Sequence, residues 1–151
     1  MSLNEIIQIL SGGIGTLGFG ILFNIRGKRL FVTVVGGFIS WLIFVILSNF
    51  IASEPLNYFV VAMLISIYAE IMARVIKTPT TTFITTCLVP LIPGGSLYYT
   101  MAYAFSNDLE SFLSKAIYTL KLASALALGI IIATTLTRIF FNYLNRRAKA
   151  R

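Results

Sequence analysis

The sequence predicts an all-α integral membrane protein with five transmembrane helices, the fourth of them broken near mid-membrane at Pro90–Gly95. The first observation behind this prediction is composition: 58% of the 151 residues are hydrophobic and 11% are charged, whereas a soluble domain has about 25% charged residues. So few charges do not cover a water-facing surface of this size, and the apolar residues must therefore meet lipid. The second observation is that these residues form five stretches of the roughly 20 residues needed to cross the hydrocarbon core.

The five stretches follow one another with short connections, so we expect a single transmembrane domain over residues 1–151. The first stretch is not a cleaved signal peptide, because its start is acidic at Glu5 and its apolar part is longer than a signal core. The predicted spans cover residues 5–25, 30–52, 56–77, 80–105 and 116–143.

The charges of the connections alternate along the chain. Basic residues follow the first span, the third span and the last one, whose tail includes Arg146, Arg147, Lys149 and Arg151. Because basic loops stay in the cytoplasm, the N-terminus is predicted outside and the C-terminus inside, in a multi-pass protein of the cell (inner) membrane. Five-span halves of opposite orientation are common in secondary transporters, so a second half is expected from another chain.

Composition also excludes several kinds of site. The sequence has no His and one Cys, Cys87, so His/Cys zinc sites and Ser–His or Cys–His nucleophiles lack a necessary group. We therefore expect no enzyme activity, no metal and no cofactor, and we interpret Cys87 as a small buried apolar residue. The net charge of +7 is divided among clusters beside the apolar segments, which indicates membrane orientation and not nucleic-acid binding.

The stretch PLIPGGS interrupts the fourth predicted span near its centre. Pro90 and Pro93 each remove a backbone donor, and Gly94 and Gly95 disfavour helix. Freed backbone groups are costly in lipid, so such a break faces protein or a water-filled cavity, as it does in transporters. Ser96 is predicted to cap the following half-helix, whose free amides would suit a carboxylate. These five residues form the predicted substrate site, and a kink that only shapes packing is the alternative.

Three charged residues share one face of the third predicted span. Glu70, Arg74 and Lys77 are spaced i, i+4 and i+7, which places them on neighbouring turns of a helix. A carboxylate this far inside a span is costly unless it is paired. The three residues are predicted to gate transport or couple it to an ion on the cytoplasmic side. The alternative is a structural Glu70–Arg74 pair, with Lys77 extended to the headgroups.

Small residues recur in the first two spans. Gly12, Gly15 and Gly18 in the first span and Gly36 in the second are predicted to let helices pack closely. The threonines of TPTTTFITT, residues 78–86, have two interpretations that the sequence does not separate. Their hydroxyls either bond back to the helix backbone or line a polar path towards the break.

Taken together, three segments resemble the threonine/serine exporter family. They are the glycine-rich first span, AEIMARVIKTPTTTF at 69–83 and LVPLIPGGSLYYT at 88–100. More narrowly, the chain resembles the small membrane subunit of that family, the counterpart of the C-terminal domain in single-chain members. The resemblance implies export of small metabolites, threonine and serine in some members and dicarboxylates such as succinate in others. It also implies a larger multispan subunit as partner.

We therefore expect a subunit of a secondary transporter that exports small amino acids or small carboxylic acids by alternating access about the broken span. The sequence has no ATP-binding motif, so an ion gradient or the substrate gradient is expected to drive it. A channel or pore subunit and an assembly subunit without its own substrate site stay open as alternatives. So do a homo-oligomer and, at residues 90–95, a re-entrant loop in place of an unwound span.

Overall fold

The computed structural model describes residues 3–149, and for residues 144, 145, 148 and 149 it describes the backbone alone. These residues form six α-helices and one short 3-10 turn. No strand occurs in these residues, so the all-helical class is confirmed. Arg151 of the predicted basic tail lies outside them. The elements are α1 (Leu3–Leu22), α2 (Lys28–Ser48), α3 (Glu54–Ile76), α4 (Thr80–Cys87), the 3-10 turn (Val89–Leu91), α5 (Gly94–Phe105) and α6 (Leu109–Lys149).

Four helices of the described chain are long and apolar enough to cross a membrane: α1, α2, α3 and the Leu109–Tyr143 part of α6. They correspond to the first, second, third and fifth predicted spans, with bounds that differ by a few residues. The fourth predicted span is divided between α4, with 8 residues, and α5, with 12. Neither reaches the length of about 20 residues that a single spanning helix needs.

The centre of the bundle is α3, which packs against α2, α4 and α6. Its buried side chains meet Phe83 and Cys87 of α4 and Leu122 of α6 in one apolar core. Cys87 is fully buried, as predicted for a small apolar residue. The buried residues of α3 are Asn57, Tyr58, Val61, Ala62, Ile65, Ser66, Ala69, Glu70 and Ala73.

Contacts along α3 and α6 show that the two helices run parallel. Near their starts, the Tyr118 hydroxyl donates a hydrogen bond to the Glu54 carboxylate. Gly129 lies against the α3 backbone midway along, and the two helices meet again further on, at Glu70. The chain between them must therefore return from the end of α3 to the level of its start. The helices α4 and α5 supply about 30 Å of this return, close to the roughly 35 Å length of α3.

The two parallel helices pack closely at Gly129. A Cβ atom there would lie 2.5 Å from the backbone oxygen of Phe59 and 3.0 Å from the Cβ atom of Ala62. Backbone atoms cannot rotate away as a side chain can, so only glycine fits at this distance. Small residues at helix contacts in membranes act in this way, because they let the two backbones approach.

We predict that Gly129→Ala separates α3 from α6 and lowers stability by about 1–3 kcal/mol, the usual cost of overpacking. Gly15→Ala is the matched control, because it is also a helical glycine but a Cβ there meets nothing within 4 Å. Thermal unfolding of the purified protein in detergent measures both. Equal melting temperatures for Gly129→Ala and the wild type would contradict the close contact.

At the start of α6, Asp108 acts as an N-terminal cap. Its Oδ1 accepts a hydrogen bond from the Ser111 N–H at 3.1 Å, which satisfies a donor that has no partner within the helix. Hydrogen bonding from Ser111 lowers the pKa of Asp108 below its ordinary value of 3.8. A carboxylate whose pKa is lowered on folding adds stability above its ordinary pKa, and this contribution is lost as pH falls through the lowered folded-state value.

Asp108→Asn tests this assignment, because asparagine also caps helices but does not titrate in this range. We expect the melting temperature of the wild type to fall more steeply than that of Asp108→Asn as the pH drops below about 4. Identical pH profiles for the two proteins would show that the Asp108 charge adds nothing to this cap.

Candidate functional site

The structure interrupts the helix at the residues where the sequence predicts a break. After α4 ends, Pro90 lies in the 3-10 turn and Ile92 leaves the helical region with φ −63° and ψ 123°. The residue before a proline is pushed towards this extended conformation, which accounts for Ile92. Pro93 then occupies the N-cap of α5, where its missing N–H costs no helical hydrogen bond. The depth of this break in a membrane stays a prediction.

One side of the break is fixed to the bundle. Leu91 is fully buried, and the 3-10 turn packs against α1 and α2. A Cβ atom on Gly12 of α1 would lie 3.4 Å from the Cβ atom of Pro90 and 3.3 Å from that of Trp41. Gly12 therefore makes room for the turn, and two separately predicted features, the packing glycine and the proline break, lie side by side.

The other side of the break is open. Gly94 and Gly95 are exposed, and a Cβ atom on either would meet nothing within 4 Å. The Leu97 N–H donates to the Pro93 carbonyl at 3.0 Å, the first bond of α5, and the Gly94 N–H bonds to the Ile92 carbonyl at 2.7 Å. The amides of Gly95 and Ser96 lie in the first turn of α5, where the helix has no carbonyl four residues earlier to accept from them. They therefore have no intrahelical partner. They form a pair of unpartnered donors, one on the exposed Gly95 and one on the half-buried Ser96. The pair lies at the positive end of a helix dipole, which suits a carboxylate.

The predicted capping role of Ser96 is wrong. The N-cap of α5 is Pro93, three residues earlier, and no side chain caps this helix end. Since α5 begins at Gly94, Ser96 lies in its first turn, where its backbone oxygen accepts a hydrogen bond from Thr100 at 2.8 Å. Ser96 therefore contributes an amide to the free helix end, and not a capping hydroxyl.

A second polar cluster surrounds Glu70, whose side chain is 1% exposed. Arg74, one turn further along α3, donates to Glu70 Oε2 and, at 2.6 Å, to the Glu70 backbone oxygen. The Arg74 guanidinium also lies 4.1 Å above the ring of Phe141. Glu70 Oε1 has no hydrogen-bond partner, and Arg138 Nε of α6 lies 3.9 Å from it. A buried carboxylate needs such cations, because an isolated charge in an apolar interior is very costly.

Arg138 is not among the residues that the sequence predicts for this cluster. The i, i+4 rule connects Glu70 with Arg74 on one helix, but it carries no information about a partner from another helix. A signal was nevertheless present, because a cation within the fifth predicted span marks a functional or paired position.

Lys77 does not join this cluster. It is the C-cap of α3, in the left-handed region with φ 53°, and its N–H bonds to the carbonyls of Ala73 and Arg74. The side chain is exposed. Of the three residues predicted to share a face, the structure therefore brings Glu70 and Arg74 together and leaves Lys77 at the helix end.

The predicted packing glycines fall into two groups. Gly36 of α2 faces α4 and α3: a Cβ atom there would lie 2.5 Å from Cys87 Sγ and 2.7 Å from Tyr68 Cε1. Gly12 faces the 3-10 turn, as described above. Gly15 and Gly18 have no atoms within 4 Å of a Cβ position, so close packing at these two glycines would require another chain.

Of the two interpretations of the α4 threonines, the structure shows back-bonding at Thr86. The buried Thr86 donates to the Thr82 carbonyl at 3.0 Å, in the manner of a back-bonding helix residue. Thr81, Thr82 and Thr85 line an open groove of about 250 Å³ together with Thr86, Phe23 and Ile25. The groove runs beside α4, but no contact in the described chain extends it to the free amides of α5.

Four helices able to cross a membrane, an interrupted helix beside them and a buried charge cluster are features found together in multi-pass membrane transport proteins. Within this class, the chain belongs to the threonine/serine exporter family: residues 8–136 match the family described as "Threonine/Serine exporter, ThrE". This match confirms the family that the sequence motifs resemble, and it is a family of transporters and not of enzymes. No curated protein matches the chain, and no solved structure matches it either.

We predict that Gly12→Leu displaces the 3-10 turn from α1, because the added side chain would occupy the space of Pro90 and Trp41. The bonded backbone amides of Leu88, Leu91 and Ile92 should exchange faster with deuterium in this variant, as expected when local packing is lost. Gly18→Leu is the control, since its side chain enters open space. Unchanged exchange at 88–92 in Gly12→Leu would show that the glycine contact does not hold the turn.

Proposed function

We propose that this chain is a subunit of a secondary transporter that exports threonine, serine or small carboxylic acids such as succinate, acting with a larger membrane subunit. The observation that carries the proposal is the broken helix, with two partnerless amides at the start of α5. Membership of the exporter family supports it, and such half-helix ends bind anionic groups of substrates in transporters.

In this proposal the chain crosses the membrane five times. The parallel course of α3 and α6 supports a fifth crossing, because two parallel spanning helices require the chain between them to cross in the opposite direction. The segment α4–turn–α5 has about the length needed. The alternating loop charges support an N-terminus outside and a cytoplasmic C-terminus, in a multi-pass protein of the cell (inner) membrane.

The substrate carboxylate would bind the amides of Gly95 and Ser96, with Gly94 leaving space for it and Pro90 and Pro93 fixing the unwound backbone. Gly95 is open to solvent or to a partner chain, and Ser96 beside it is half-buried. On the cytoplasmic side, Glu70 and Arg74 would open and close access, and Lys77 would lie at the mouth. Alternating access would follow from movement of the two half-helices about the break.

A larger subunit would complete the transporter. An odd number of spans leaves this unit without an inverted counterpart, the usual second half of such transporters. The open faces at Gly15 and Gly18 of α1 and at Gly94 and Gly95 support a site that is closed by another chain. A second copy of the same chain is the alternative occupant.

The proposal is tested by efflux of labelled threonine, serine and succinate from cells that lack their own exporters, with this chain alone and with the larger subunit. Efflux only with the larger subunit would support the paired transporter, whereas efflux with this chain alone would indicate a homo-oligomer. No efflux in either case would contradict transport and favour an assembly role. Conductance that does not saturate with substrate would favour a channel.

Substitutions at Gly95 test the binding site within the same assay. Gly95→Leu should block efflux by filling the open space, and Gly95→Pro should weaken it about tenfold or more by removing one amide donor to a charged group. Gly95→Ala is the matched control, because it retains the amide and its Cβ meets nothing within 4 Å. Wild-type efflux in Gly95→Leu, with normal membrane insertion, would exclude this position as the site.

A further inference from the structure

The carboxylate of Glu70 is only half satisfied. Arg74 bonds to Oε2, whereas Oε1 has no hydrogen-bond donor although it is buried. Arg138 Nε lies 3.9 Å away, which is too far for a hydrogen bond. Buried acceptors without a donor are rare and costly, so this oxygen marks a position where a donor is missing.

Arg138 is the complementary group. Its side chain is 71% exposed, and no hydrogen bond of this guanidinium occurs within the described chain. A guanidinium has five N–H donors in a planar fork that fits a carboxylate. Arg74 is less available, because it is bonded to Glu70 and stacked on Phe141. The free donors of the cluster are therefore those of Arg138.

The charges of the cluster indicate what would satisfy both groups. Two guanidiniums and one carboxylate leave a net charge of +1 on Glu70, Arg74 and Arg138 together. Oε1 lacks a hydrogen-bond donor, and Arg138 faces Glu70 without a hydrogen bond to it. An α-amino acid carries an ammonium and a carboxylate on the same carbon, so its head group supplies both without changing the net charge.

We propose that Glu70 and Arg138 form a second substrate site, separate from the amides of Gly95 and Ser96, that binds the head group of a zwitterionic α-amino acid. The ammonium donates to Glu70 Oε1, and the carboxylate accepts from the terminal nitrogens of Arg138. The exposed Arg138 side chain moves aside from Oε1 as the ammonium takes its place. This inference rests on the proposed function and narrows its substrate class, because a dicarboxylate such as succinate has no ammonium and would place an anion against Glu70.

The first test is binding of labelled threonine to the full chain in lipid nanodiscs, measured by equilibrium dialysis. Unlabelled threonine should compete about tenfold or more better than threonine amide, which lacks the carboxylate, and N-acetylthreonine, which lacks the ammonium. Succinate should compete as weakly. Equal competition by any of these three compounds would overturn zwitterion recognition, and absence of threonine binding by the wild-type chain would overturn the site.

The second test uses charge variants in the same assay. Glu70→Gln and Arg138→Gln should each weaken threonine binding about tenfold or more, whereas Arg138→Lys should retain part of it. Arg26→Gln is the control, because Arg26 is also an exposed arginine but lies in the connection between α1 and α2. Melting temperatures identify variants that misfold. Wild-type affinity in folded Glu70→Gln or Arg138→Gln would overturn the proposal.

Failure of this inference is distinguishable from failure of the proposed function. If cells export threonine but the Glu70 and Arg138 variants bind it normally, the transporter proposal stands and the head-group site is wrong. If the purified chain binds threonine through both residues but no cell exports it, the site stands and the transport proposal is wrong.

Discussion

The close contact of α3 with α6 determines how the rest of the chain is arranged. Because Gly129 lets the two backbones meet, α6 runs along α3 in the same direction, and the intervening residues must return past α3. Polar contacts lie towards both ends of this pair, Tyr118 with Glu54 at one end and the Glu70 cluster at the other. In lipid the hydrophobic effect does not favour one helix surface over another. Polar contacts such as these therefore fix the register of α3 against α6.

The same reasoning explains why glycines concentrate in α1 and α2. Gly36 and Gly37 of α2 and Gly13 and Gly20 of α1 each lie where a Cβ atom would overlap a neighbouring side chain. Packing of this kind depends on dispersion contacts between close surfaces, and these fall off over a fraction of an ångström. Most of α1 is exposed and apolar, as expected for a surface that meets lipid or another chain, whereas most residues of α2 are half-buried or buried.

The sequence predicted the element types well, because apolar length and loop charge are direct consequences of a bilayer. It also located the break, because two prolines lack backbone donors wherever they occur. Prediction from the sequence failed where the role of a residue depends on its contacts or on where a helix begins. Arg138 was missed because its partner lies on α3, and Ser96 was misplaced because α5 begins at Gly94, two residues earlier. Gly129 carried no local signal at all, since a single glycine in a long apolar helix does not reveal which backbone it meets.

Contacts on the two sides of the break explain why movement would be concentrated there. The 3-10 turn is held by Gly12 of α1, whereas α5 is joined to α6 through the hydroxyls of Thr100 and Thr119, 3.1 Å apart. Between these attachments lie Ile92 and Pro93, followed by two glycines at which a Cβ atom would meet nothing within 4 Å. The helix α3 contacts both α4 and α6, so a shift of either part would change its packing against α3. A shift that moved α6 along α3 would alter the distance between Glu70 and Arg138, and in this way the proposed head-group site would be coupled to movement at the broken helix.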